Sequence, residues 1–288
     1  MSTTTLTCGS QRITLGKRTL IMGIVNVTPD SFSDGGRYYS KERAVAQANR
    51  LVEEGADILD IGGESTRPFS DEVGESEELD RVLPVIEALS NQVSVPISID
   101  TTKASVARQA VEAGAGIIND VSALRTDPDM AATAAHYRTP LILMHMQGTP
   151  KTMQVDPLYD DLIADVSEFL SGAIARAVAG GVNRSAIVCD PGIGFGKTIH
   201  HNLQIISELD RFHDLGCPLL IGTSRKMFIR QLLKHPAEKD MDPQSIEVAR
   251  GTQATIAAAA LKGAHIVRVH DVARTRTTLS IIDAIASV

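Results

Sequence analysis

Eight times along this chain, a short apolar run ends in a polar residue that a closed core would not accept. Ile21-Met22-Gly23-Ile24-Val25 runs into Asn26, Ile58-Leu59 into Asp60, Ile97-Ser98-Ile99 into Asp100, and Ile117-Ile118 into Asn119. Leu141-Ile142-Leu143-Met144 meets His145, and Ile187-Val188-Cys189 meets Asp190. Leu219-Leu220-Ile221 leads to Ser224 and Lys226, and Ile266-Val267 meets Arg268. Strands covered on both faces read as unbroken apolar runs, the pattern of a parallel sheet. A polar group at the carboxyl end of such a strand must sit where the sheet opens to ligand or water. Eight such ends predict eight strands aimed at one mouth.

Between the runs, apolar residues recur at helical spacing over residues 41–54, 77–90, 104–113, 129–137, 160–179, 202–213, 244–262 and 272–286. Several of these segments end in glycine, as a left-handed helix cap prefers: Gly55, Gly114, Gly180-Gly181 and Gly263. An internal repeat carries the same order of cap, small residue, strand and polar end. It runs Gly55-Ala56-Asp57-Ile58-Leu59-Asp60, Gly114-Ala115-Gly116-Ile117-Ile118-Asn119 and Gly263-Ala264-His265-Ile266-Val267-Arg268. Alternating strand and helix define an α/β fold, and eight units match the (β/α)8 TIM barrel, whose active site lies at the carboxyl ends of its strands. An open doubly wound sheet is the alternative, but it offers one crevice rather than eight polar ends. Residues 5–19 read as an N-terminal hairpin that plugs the barrel bottom. No Gly-, Ser- or Pro-rich linker interrupts residues 1–288, so one domain is expected.

A net charge of −7 argues against a nucleic-acid partner. Cys8, Cys189 and Cys217 are sparse and odd in number, which suits a reducing, cytoplasmic setting better than a disulfide framework. Residues 1–9 lack an apolar leader, and no apolar run reaches the ~18 residues of a membrane span.

The chemistry concentrates at the strand ends. Thr28-Pro29-Asp30-Ser31-Phe32-Ser33-Asp34-Gly35-Gly36-Arg37 is long for a βα connection and reads either as a ligand-covering loop or as a solvated excursion. Gly62-Gly63-Glu64-Ser65-Thr66-Arg67-Pro68 sets a guanidinium fork beside paired glycines. Asp190-Pro191-Gly192-Ile193-Gly194-Phe195-Gly196-Lys197-Thr198 imitates a phosphate loop, but Pro191 stands where its first glycine belongs. A glycine-rich wall against a planar ring, with Asp190 at the ring edge, is the better reading. Asp100, Asp190, Asn119 and Lys226 form a mixed polar ring that suits a guanidine-like edge, although Asp100 and Lys226 also read as a plain ion pair. Without HExxH or a His/Cys cluster, a zinc site is not expected. Asn26 is a single neutral oxygen donor, suited to sharing magnesium with substrate phosphates. Arg268 and His270, two residues apart on one face of the last strand, stand where barrels bind phosphate.

Met22-Gly23-Ile24-Val25-Asn26-Val27-Thr28-Pro29-Asp30-Ser31-Phe32-Ser33-Asp34-Gly35-Gly36 and Gly62-Gly63-Glu64-Ser65-Thr66-Arg67-Pro68 resemble the two signatures of bacterial dihydropteroate synthases. Ser98-Ile99-Asp100-Thr101, Ile118-Asn119-Asp120-Val121, Leu143-Met144-His145-Met146-Gln147-Gly148, the segment from Asp190 to Lys197, Ser224-Arg225-Lys226 and Arg268-Val269-His270-Asp271 match in order. The resemblance runs from about residue 20 to 272.

It implies a folate-pathway transferase and sulfonamide target, joining 4-aminobenzoate to (7,8-dihydropterin-6-yl)methyl diphosphate with loss of diphosphate. By similarity Asp100, Asn119, Asp190 and Lys226 hold the pterin, with Ile117, Met144 and Phe195 near its rings. Arg268 and His270 take the diphosphate, Gly222 and Val269 join the substrate pocket, and Asn26 ligates Mg2+. Thr66, Arg67, Pro68 and Ser224 form the aminobenzoate side. Asp100, Lys226, Arg268 and His270 are the expected catalytic set, and the partner is a second copy in a homodimer. Phe69 departs from the glycine common after Arg-Pro in the family and is expected to alter discrimination between aminobenzoate and sulfonamides. Rival readings are a pterin-dependent methyltransferase, which needs no Arg268 and His270 pair, and a catalytically silent pterin carrier.

Overall fold

The computed structural model describes residues 3–28, 37–65 and 72–286. The chain opens with an antiparallel hairpin of β1 (Thr4–Cys8) and β2 (Gln11–Leu15), in which Leu6 faces Ile13 and Cys8 faces Gln11. The apolar runs then form eight parallel strands: β3 (Leu20–Asn26), β4 (Ile58–Gly62), β5 (Ile97–Asp100), β6 (Ile117–Asp120), β7 (Leu141–Met144), β8 (Ile187–Asp190), β9 (Leu220–Ile221) and β10 (Ile266–Val269). Hydrogen-bonded neighbours run from β8 through β7, β6, β5, β4, β3 and β10 to β9. The remaining seam closes through one parallel bridge between Cys189 and Leu219, with the Cys189 N–H donating to the Pro218 carbonyl at 2.9 Å. The expected (β/α)8 barrel is therefore present.

Outside the strands lie α1 (Arg37–Glu53), α2 (Glu75–Ser90), α3 (Ala104–Glu112), α4 (Met130–Tyr137), α5 (Leu162–Ala179), α6 (Ile199–Ser207), α7 (Met227–Leu233), α8 (Ile246–Leu261) and α9 (Val272–Ala286). The carboxylate of Asp161 caps α5 by accepting from the Ile163 and Ala164 N–H groups, and the Ser245 hydroxyl caps α8 through Val248. Two expectations need correction. The helix expected over 202–213 begins earlier, because Thr198 and His201 form a capping box at Ile199, and it breaks into a 3-10 turn over Leu209–Leu215. The seven-residue α7 was not expected at all, being too short to show helical periodicity.

Strand alternation sorts the side chains into two populations. Outward-facing residues such as Ile21, Leu59, Ile99, Ile118, Leu143 and Val267 join the helices in the main core. Inward-facing Leu20, Met22, Ile58, Ile117, Ile142, Val188, Leu220 and Ile266 form a separate cluster with Leu6, Cys8 and Leu15 of the hairpin. The hairpin is thus the barrel's lower plug, and burial of Leu6 and Leu15 contributes about 1.5–3 kcal/mol each. Gly116 lets the plug seat: a Cβ there would lie 2.8 Å from the Cys8 carbonyl carbon.

Candidate active site

Above the apolar floor the same inward-facing positions turn polar. Register aligns Asn26, Gly62, Asp100 and Asn119 in one row across β3 to β6. Gly62 leaves a notch between Asn26 and Asp100, since a Cβ there would stand 3.5 Å from the Asp100 Cβ. Met144 and Asp190 face each other across β7 and β8. From β10, Arg268 donates from Nε to Asp60 Oδ2 at 2.6 Å and from Nη2 to Asp100 Oδ2 at 2.7 Å. Asn119 Nδ2 donates to the same Asp60 oxygen at 3.2 Å. In place of the plain Asp100–Lys226 ion pair that the residues also allow, Asp100 pairs with Arg268.

The mouth remains short of hydrogen-bond donors. Oδ1 of Asp60 and Oδ1 of Asp100 are buried without a hydrogen-bond partner, an expensive state for an acceptor. Burial pushes the Asp100 carboxyl up to about 7, against the pull of Arg268 and with the help of neighbouring Asp60. Burial likewise raises Asp190 to about 6, opposed by the Gly192 N–H and by Lys226, Lys197 and Arg268. Arg268 is held firmly protonated by its two acids, which outweigh its desolvation.

An apolar face borders this polar ring. Phe195, Met144, Met146, Val121 and Met153 form a distinct cluster. Lys226, the residue preceding α7, holds its ammonium 3.9 Å from the centroid of the Phe195 ring. On the other side, Ser224 Oγ lies 3.0 Å from His270 Nδ1 and also accepts the His270 N–H at 3.3 Å. Gly222 abuts Arg268, its Cβ position 3.7 Å from the arginine's Cβ.

Asp100, Asn119, Met144, Asp190, Phe195, Gly222, Ser224, Lys226, Arg268, His270 and Asn26 all come from strand ends or the loops that follow them at one end of the barrel. Ile117 lies one layer deeper, in the floor beneath Asn119. The Val269 side chain points outward into the helix-packed core and does not join the mouth. Thr66, Arg67, Pro68 and Phe69, and most of the first loop, lie outside the described residues. Asp60 was legible as a strand end but carried no site role in the sequence reading. Its signal was parity, because it sits on the same strand face as Ile58 and Gly62.

The glycine-rich segment after β8 packs onto the segment after β7. Gly192 has φ +73°, and a Cβ there would meet the His145 carbonyl oxygen at 1.8 Å; at Gly196 it would meet Gln147. These glycines permit close backbone packing against the segment after β7. Lys197 is buried and donates to His145 Nδ1 at 2.8 Å and to the Phe195 carbonyl at 3.1 Å, which leaves the phosphate-loop resemblance without its free lysine.

A barrel with buried acids and an apolar face at its carboxyl mouth has the architecture of an enzyme acting on small molecules. The family model for pterin binding enzymes matches residues 22–270. The dihydropteroate synthase of Synechocystis is 47% identical over 270 residues, covering 94% of this chain and 91% of that protein. The Xanthomonas albilineans dihydropteroate synthase solved with 4-aminobenzoic acid has a TM-score of 0.91 at 46% identity, covering 100% of each chain. The Yersinia pestis dihydropteroate synthase in a sulfonamide drug complex has a TM-score of 0.89 at 45% identity, covering 98% of this chain and 99% of that one. This chain belongs to the pterin binding enzymes and, among them, to the dihydropteroate synthase family.

Proposed function

We propose that the chain joins 4-aminobenzoate to (7,8-dihydropterin-6-yl)methyl diphosphate, making 7,8-dihydropteroate and diphosphate. The observation that carries the reading is the pair of buried, donor-less oxygens on Asp60 and Asp100 at the mouth. A pterin presents N–H donors along one edge, and bound there it would satisfy Asp100 while Asn119 and Asp190 take the remaining polar atoms. Met144 and Phe195 support the ring faces, and Lys226 closes the edge. Breaking the methylene–oxygen bond leaves positive charge on the pterin and negative charge on diphosphate. The acids answer the first, and Arg268 and His270 the second. The arylamine attacks as a neutral nucleophile and releases its proton after the carbon–nitrogen bond forms, so no activating triad is needed. Thr66, Arg67, Pro68 and Ser224 are assigned to the aminobenzoate side.

Magnesium fits this donor set in one way. Asn26 offers a single amide oxygen at the rim, and among the described residues no group of three or more His, Cys, Asp or Glu side chains could hold a metal. Such a site suits an ion that takes most of its ligands from diphosphate and water. When bound, magnesium neutralises charge on the leaving group.

A homodimer is proposed on the exposed apolar residues of neighbouring α7 and α8, where Leu232, Leu233, Ile246 and Leu261 are 44–57% exposed. Sedimentation at enzyme concentrations bracketing the micromolar range tests it; a monomer throughout would overturn it. A cytoplasmic setting is inferred from three buried free cysteines, and no helix among the described residues is long and apolar enough to cross a membrane. The function itself is tested by supplying both substrates with magnesium and measuring both products. Equimolar 7,8-dihydropteroate and diphosphate are expected; neither product, or diphosphate without dihydropteroate, rejects the reading.

A further inference from the structure

At the ends of β4 and β5, one ammonium is shared by two carboxylates from different parts of the chain. Lys103, three residues past Asp100, donates from Nζ to Glu64 Oε2 at 2.5 Å and to Glu78 Oε2 at 2.6 Å. Glu78 belongs to α2 and is fully buried, and its Oε1 has no hydrogen-bond partner. Glu64 stands two residues beyond β4. Burial works to lower the Lys103 ammonium's pKa, yet its bonds to Glu64 and Glu78 raise it above the ordinary lysine value. Neutralising the buried Glu78 requires only the first of these ion pairs. The second, to Glu64, calls for a separate account.

Glu64 uses its other oxygen on the backbone, where Oε1 accepts the Val73 N–H at 3.1 Å. One carboxylate thus joins the chain just past β4 to the chain just before α2, and Lys103 holds that carboxylate against the turn after β5. The residue before Glu64 is fixed as firmly. Arg81 of α2 donates to the Gly63 carbonyl at 2.6 Å, and a Cβ on Gly63 would lie 2.8 Å from Val82 Cγ1 and 3.1 Å from Glu78 Cγ. Lys103 is oriented in turn by its own N–H, which donates to Thr101 Oγ1 at 3.2 Å, while the Thr101 N–H donates to the Asn119 carbonyl at 3.1 Å. The network therefore ties Glu64 to the row that holds Gly62, Asp100 and Asn119.

We infer that Lys103 and Glu64 are positioning residues for the aminobenzoate side of the site, fixing where the chain leaves β4 relative to Asp100. This rests on the reading given above, in which Thr66, Arg67 and Pro68 serve that side. Thr66 is two residues beyond Glu64 in the sequence, and two residues of chain span at most about 7 Å. Anchoring Glu64 therefore limits where the aminobenzoate groups can stand. Neither Lys103 nor Glu64 has to touch a substrate, because each acts through the backbone it holds. The pterin acids are set by other means: Asp100 and Asp190 by strand register, and Asp100 also by its bond to Arg268. Loss of the Glu64 bonds should weaken one substrate and spare the other.

The test compares two quantities in the full chain. One is KM for 4-aminobenzoate at saturating (7,8-dihydropterin-6-yl)methyl diphosphate and magnesium. The other is Kd for that pterin diphosphate with magnesium, from calorimetry without aminobenzoate. Glu64→Ala removes both bonds of Glu64 and leaves the buried Lys103–Glu78 pair whole. It should raise the aminobenzoate KM about tenfold or more and leave the pterin Kd within about twofold, since misplacing a positioning group by roughly 1 Å can cost about a hundredfold. A double variant, Lys103→Met with Glu78→Met, removes the buried pair together, a replacement that apolar side chains of similar volume tolerate. It leaves Glu64 without its cation, and the same split is expected. A wild-type aminobenzoate KM in either variant, or equal weakening of both substrates, would overturn the inference, because a merely structural network would not choose between them. If Glu64→Ala does not fold, the double variant decides by the same criteria. Unaltered enzyme that makes no 7,8-dihydropteroate would instead defeat the reading of the site.

Discussion

Arg268 Nη2 lies 2.7 Å from Asp100 Oδ2, and the same guanidinium reaches Asp60 through Nε. The arginine expected at the diphosphate thus spans two acids, and it holds the Asp100 carboxylate in place. Arg268→Ala should cost about 3–5 kcal/mol of stability, because two buried carboxylates lose their cation. Turnover should fall by two or more decades, roughly 2.7 kcal/mol of barrier. Denaturant unfolding and steady-state rates measure the two; wild-type values in both would remove Arg268 from either role.

Asp100→Asn should split activity from stability. The folded carboxyl is raised to about 7 by burial, above its value in the unfolded chain. The stability tied to its protonated form is therefore complete at low pH and is lost as pH rises from about 4 through 7. At pH 8 the ligand-free Asn variant should be the more stable protein by roughly 1 kcal/mol or more, with the gap closing toward pH 4. Its turnover should fall at least 100-fold. Unfolding curves at the two pH values check the sign.

Lys226 offers a third measurement, since its ammonium sits over the Phe195 ring. Lys226→Ala should lower turnover by two or more decades, whereas Phe195→Leu, which keeps an apolar floor but removes the ring, should weaken pterin binding by about 0.5–2 kcal/mol. Titration calorimetry with the pterin substrate separates the two effects; equal losses would contradict them.

Magnesium should bind poorly alone and well with diphosphate. Calorimetry is expected to show no saturation by magnesium at low millimolar concentration until diphosphate is added. Asn26→Ala should raise the magnesium needed for half-maximal turnover several-fold, and removal by chelator should depress rates reversibly. Tight magnesium binding without an anion would mean a protein cage that the donor set near Asn26 does not suggest.

Much of this was legible in the residues because barrel strands report their ends. Asp100, Asn119 and Asp190 stand out against the apolar runs before them, and alternation places them on one interior face. The plug was legible because Leu6, Cys8, Ile13 and Leu15 alternate with polar residues along the hairpin. Which acid Arg268 would choose was not legible. That depends on register across one intervening strand to Asp60 and two to Asp100, which sequence periodicity does not encode. Lys197 was hidden for a related reason: it follows three glycines in a segment that looks exposed, and only the packing of Gly192 and Gly196 onto the segment after β7 buries it. The seven residues of α7 are too few to announce a period.

The barrel is closed at the β8–β9 seam by a two-residue strand and a single bridge, while β3 and β4 share five paired positions. Asp190 stands on one side of that weak stave and Lys226 just past the other. Breathing of the hoop will begin there, so amides at 219–221 should exchange faster than those at 22–25. A barrel jointed in this way loosens beside Asp190 before the rest lets go, and on the proposed placement of the pterin a ligand clasped by both sides acts as the missing rivet.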